Sequence, residues 1–81
     1  LDFVGHRSLA GAFLKGGAPA VLATLWPVDD RATRVLMSHF YAALSAGRTP
    51  EESLRTAQLK LLETPELSAP FFWGGFVLFE R

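Results

Sequence analysis

Leu25-Trp26-Pro27-Val28-Asp29-Asp30 is the stretch on which the fold turns. It follows an apolar run that begins at Ala20. It precedes a segment, Arg31 to about Ala46, whose residues Ala32, Val35, Leu36, Phe40, Ala43 and Leu44 recur with a helical period. A strand therefore hands over to a helix here, and Pro27 closes the strand by removing a backbone donor. In open α/β sheets the carboxyl ends of strands are where ligands bind. Trp26 offers a flat wall at such an end, and Asp29 and Asp30 bring carboxylates, so all three are candidate binding residues. A purely structural reading competes. Asp at a helix N-terminus satisfies free N–H groups and meets the positive end of the dipole, contributing about 1 kcal/mol. Capping is the favoured reading for Asp30, and for Asp29 the two are evenly balanced.

Working outward, Ser8 is placed to cap a helix running to about Lys15, which Gly16-Gly17 stops. Ala20 to Trp26 reads as a strand, polar only at Thr24. Gly47 ends the second helix. Thr49-Pro50-Glu51-Glu52 is a capping box with proline at the first helical position, and Leu54, Ala57, Gln58, Leu61 and Leu62 form one face of the third helix. After a proline-bounded loop from Thr64 to Pro70, Phe71 to Phe79 reads as a final strand, with Gly74-Gly75 inside it. The order is helix-strand-helix-helix-strand. Neither strand alternates apolar with polar residues, so each is expected to have both faces covered. Two strands make a poor sheet alone. More strands should lie alongside, and the chain reads as the carboxyl-terminal part of a larger α/β domain.

Composition sets the outer limits. The chain has 81 residues, 49% of them hydrophobic, a formal net charge of zero and no cysteine. A chain of this length buries only roughly 60% of its unfolded surface, so a self-sufficient core is marginal. The isolated peptide is expected to fold poorly or to self-associate. Balanced, interspersed charge argues against a nucleic-acid surface. The lack of cysteine excludes disulfides, thiolate metal sites and a cysteine nucleophile within these residues. No apolar run reaches the ~18–20 residues of a membrane span. His6 with Ser8 and Asp2 has the residue types of a hydrolase triad, but they crowd within one turn and read as a helix entry. His39 reads as a partly exposed helix histidine, because no second ligand lies at metal-binding spacing. Gly16-Gly17 follows a helix instead of preceding one, so it is no phosphate cradle. No metal and no cofactor is expected.

The ordered set Ser8-Leu9-Ala10-x-Ala12-Phe13-Leu14-x-Gly16-Gly17-Ala18, Leu25-Trp26-Pro27-Val28-Asp29-Asp30, Leu36-Met37-x-x-Phe40-Tyr41, Ala57-Gln58 and Phe72-Trp73-Gly74-Gly75-Phe76-Val77-Leu78 resembles the CHAT domain. This is the caspase-like peptidase domain associated with tetratricopeptide repeats. The resemblance implies a caspase-like three-layer α/β/α sandwich, of which residues 1–81 would be the carboxyl-terminal segment, with the catalytic histidine and cysteine upstream. Neither His6 nor His39 matches the family's catalytic histidine, so no catalytic residue is assigned in this chain. What carries over is a substrate-side loop, with Trp26, Asp29 and Asp30 as substrate-binding residues. The implied function is the scaffold and substrate-pocket portion of a cysteine endopeptidase. The alternative is a non-catalytic caspase-like interaction module. Implied partners are a protein or peptide substrate, the remainder of the domain and tetratricopeptide repeats, with no nucleic acid and no membrane. In caspases the corresponding final strand lies at a sheet edge, so Phe71–Phe79 is either a self-association edge or, the preferred reading, a strand buried by its own helices. A cytoplasmic, bacterial setting is expected.

Overall fold

The computed structural model describes residues 1–5, 10–17 and 19–80. In chain order they form strand β1 (Asp2–Val4), helix α1 (Ala10–Lys15), strand β2 (Ala20–Thr24), helices α2 (Asp30–Ser45) and α3 (Pro50–Glu63), a 3₁₀ turn (Pro65–Leu67), helix α4 (Pro70–Trp73) and strand β3 (Phe76–Glu80). The class is mixed α/β. Two compact units result, residues 1–27 with 75–81 and residues 28–74.

The first unit is a three-stranded sheet in the order β1-β2-β3. β2 runs parallel to β1, with Val4 opposite Ala23, and antiparallel to β3, with Thr24 opposite Phe76 and Ala20 opposite Glu80. All five residues of β2 are buried, as a continuous apolar run in a central strand requires. The strand stops at Thr24, earlier than the expected Trp26. Leu25 and Trp26 bend away, although the Leu25 N–H still donates to the Gly75 carbonyl at 2.8 Å. β1 was not expected at all, because three residues carry no periodicity of their own and are held by pairing to β2. Ala10, Val4, Val21 and Ala23 form a small core joined by Leu14 and Phe79. α1 ends where the glycines predicted, with Gly17 at a φ of 111° that favours glycine. The expected cap Ser8, the next residue Leu9 and His6 lie outside the described residues.

The final strand needs the largest correction. Phe71-Phe72-Trp73 is helical, not extended. Pro70 occupies a first helical position, and the Gly74 N–H donates to the Pro70 carbonyl at 2.7 Å. Two hydrogen bonds fix this turn. Trp73 Nε1 donates to the Ser68 carbonyl at 2.9 Å, and Gln58 Nε2 donates to the Trp73 carbonyl at 2.8 Å. Gly74-Gly75 forms the turn before the strand and is not inside it. Within β3 Phe76 is buried, whereas Val77, Leu78 and Phe79 are half-buried, so the strand is less covered than its composition suggested.

The second unit is built on the α2–α3 pair. Ala32, Leu36, Phe40 and Ala43 form the buried stripe of α2, and Ser53, Leu54, Ala57 and Leu61 that of α3. The capping box forms as the sequence requires. The Glu52 N–H donates to Thr49 Oγ1 at 3.1 Å, and the Thr49 N–H donates to Glu52 Oε1 at 3.0 Å. The second of these bonds holds the Glu52 carboxyl below its ordinary pKa, helped by the Thr49 side chain and Arg48. A depressed carboxyl stabilises the fold above its unfolded pKa, and that contribution is lost as pH falls through the lower folded value. Thr49→Ala should weaken the start of α3 by about 1 kcal/mol. Hydrogen exchange over residues 51–54, corrected for intrinsic rate, reads this as lost protection. In the wild type the same protection should decline through the acid range, and in Glu52→Gln it should not.

Candidate functional site

The carboxyl ends of the parallel strands β1 and β2 lie side by side, and a buried polar contact ties them together. Thr24 Oγ1 donates to the Gly5 carbonyl at 2.6 Å, and Thr24 is 3% exposed. The one hydroxyl in an otherwise apolar strand thus has a partner, as burial demands. Its meaning was not drawn from the sequence, although a lone threonine in a buried run was a signal.

Just beyond this clamp the chain bends and presents Trp26, half-buried. Its indole lies on the bare backbone of Gly75. A Cβ placed on Gly75 would stand 2.8 Å from Cε2, 3.0 Å from Cζ2 and 3.1 Å from Cδ2. Contacts that short leave no room for a side chain, so glycine here is the seat of the ring. Leu25, beside it, is 36% exposed. The strand end therefore carries a positioned aromatic face and a neighbouring apolar side chain.

Asp29 and Asp30 belong to the second unit and are both exposed. The structure reverses the favoured assignment of the cap. Asp29, not Asp30, is the N-cap of α2, and its Oδ2 accepts from the Ala32 N–H at 3.0 Å. Its carbonyl accepts from both the N–H and the hydroxyl of Thr33, each at 3.0 Å. Asp30 lies one residue later, in the first helical turn, where its charge meets the positive dipole end while its carboxylate faces solvent. The reason is one of register. The helix begins at Asp30, one residue before the expected Arg31, so the capping position moves back to Asp29.

His39 is half-buried on α2. Among the described residues no group of three or more His, Asp or Glu side chains is placed to hold a metal, and no helix is long and apolar enough to cross a membrane.

The family model of the CHAT domain matches residues 3–81. The chain belongs to the CHAT domain family. It is 37% identical over 74 residues to tetratricopeptide repeat protein 28 of Mus musculus and 35% identical over 74 residues to that of Homo sapiens. Each alignment covers 91% of this chain but 3% of the relative, so the chain spans a small part of the proteins it matches. Both relatives are mammalian, whereas the sequence reading expected a bacterial setting. No solved structure matches. A CHAT domain is a caspase-like module associated with tetratricopeptide repeats, and the combination of helices with a three-stranded mixed sheet is consistent with that fold.

Proposed function

We propose that this CHAT segment is the scaffold and substrate-pocket portion of a caspase-like cysteine endopeptidase whose His/Cys dyad lies outside these residues. The observation that carries the reading is the strand end itself. Two parallel carboxyl ends are clamped by Thr24, with Trp26 seated on Gly75 directly after them. That is the position at which α/β proteins bind ligands. A peptidase needs a wall that holds a substrate side chain while a nucleophile and base act elsewhere. Trp26 supplies the flat wall. Asp29 and Asp30, both exposed, belong to the reading as carboxylates that would favour a basic or polar side chain on the peptide. The remaining strands of the domain, a protein or peptide substrate, a tetratricopeptide repeat partner region and a cytoplasmic setting belong to the same proposal.

A second reading, a non-catalytic interaction module, draws on the cap. One oxygen of Asp29 is already committed to Ala32, which leaves that carboxylate a structural duty whatever else it does. Asp29→Asn in the intact protein tests whether that carboxylate also serves the pocket. If Asn retains the cap, which its side-chain oxygen allows, the pocket reading expects slower cleavage of basic peptides with exchange protection at the start of α2 unchanged. Unchanged cleavage, or loss of cleavage and protection together, would remove Asp29 from the pocket.

A further inference from the structure

We propose that the groove between α3 and α4 receives an acidic amphipathic helix of a partner protein. This surface is separate from the strand-end site, and the inference stands whether or not the parent cleaves peptides. The groove measures about 150 Å³ and is lined by Arg55, Gln58, Leu59 and Leu62 of α3 and Trp73 of α4. Leu59 is 48% exposed and Leu62 47% exposed. Phe71, on α4 with Trp73, is exposed too.

The walls are built in advance. Gln58 is tied to the Trp73 carbonyl and the Trp73 indole N–H to the Ser68 carbonyl, so neither wall must reorganise to admit a ligand. Three lining residues also follow a helical line, because Arg55, Leu59 and Leu62 are spaced i, i+4 and i+7 along α3 and extend for about 10 Å. Residues at that spacing form a ridge along α3 against which the ridges of a second helix can pack. A peptide added as a β-strand would need an open backbone edge, and two helices present none.

Charge fixes the partner's sign. Arg55 is the charged residue of the lining and is exposed, and it takes part in no ion pair among the described residues, where the pair that forms is Arg31–Glu66 at 3.7 Å. A carboxylate at one end of the incoming helix would complete a charge-assisted pair with the guanidinium while its apolar side chains cover the leucines.

Selection from a displayed library of helix-forming peptides against the intact protein tests this. Enriched peptides should carry leucine-like residues at i and i+3 or i+4 with an aspartate or glutamate alongside. Their binding should fall roughly tenfold or more in Leu59→Ser and Leu62→Ser, and Arg55→Glu should shift the selection to lysine or arginine. Because both leucines are half outside already, an unchanged circular dichroism spectrum is expected to show that the variants remain folded. Enrichment of basic or proline-rich peptides, no enrichment, or binding indifferent to these substitutions would overturn the proposal. So would self-association of the protein that Leu62→Ser abolishes, which would assign the groove to a second copy.

Discussion

Phe40→Ala is expected to remove about 3–5 kcal/mol of stability, the cost of emptying a large buried aromatic site. Phe40 is fully buried, the largest such side chain among the described residues, and lies mid-stripe on α2 between Leu36 and Ala43. Domains are stable by only about 5–15 kcal/mol in total. A loss of this size should therefore unfold the α2–α3 pair for a substantial fraction of molecules. Exchange protection across both helices in the intact protein is the readout, with Phe40→Leu expected to lose much less because most of the volume is retained. Protection lost in α2 alone would mean that the two helices do not share one core. Neighbouring Tyr41 meets the Phe40 ring edge-on at 5.6 Å but is 46% exposed, so Tyr41→Ala should cost far less.

The second large effect is expected at Gly75. Gly75→Leu would drive a side chain into an indole that a single Cβ already meets at 2.8 Å. The Gly75 carbonyl also accepts from the Leu25 N–H, so its backbone is held in place and the ring must give way. Overpacking of this kind costs about 1–3 kcal/mol. In the intact protein the Leu25 N–H, which donates to the Gly75 carbonyl, should lose exchange protection. Adding Trp26→Ala should recover part of the lost stability, so that the two changes are less than additive. Additive effects with the Leu25 protection unchanged would show that the ring does not rest on Gly75.

The parts of the fold that could be read from sequence are those whose signals are local. Thr49, Pro50 and Glu52 specify the start of α3 within four consecutive residues, and each contact forms. The stripe through Leu36, Phe40 and Ala43 predicted α2, and Gly17 and Gly47 mark helix ends at positive φ. What escaped depends on distant partners. β1 exists through its pairing with β2, and β2 stops at Thr24 although Leu25 and Trp26 continue its apolar composition. Phe71-Phe72-Trp73 has the composition of a strand, yet Pro70 starts a helical turn there and Gln58, from α3, secures it. That Pro70 signal was as legible as Pro50, and the aromatic run outweighed it.

The candidate site divides in the same way. Trp26 was placed at a strand end by the proline that follows it, and the structure puts it two residues beyond the last residue of β2. Its support was not legible, because Gly75 and the Thr24–Gly5 clamp are brought in by sheet pairing and not by neighbouring sequence. The exchange of roles between Asp29 and Asp30 follows from a one-residue shift in the start of α2. Sequence periodicity does not resolve a helix boundary that finely.

The most direct test of the strand-end wall is cleavage of a peptide library by the intact parent protein, comparing wild type with Trp26→Ala. The account predicts cleavage by the wild type, and in the variant a raised KM with a much smaller change in kcat, since a wall that binds ground state and transition state alike acts mainly on KM. Exchange protection of β2 and β3 should persist. A wild type that cleaves nothing, or a Trp26→Ala variant that cleaves with unchanged KM, would contradict it.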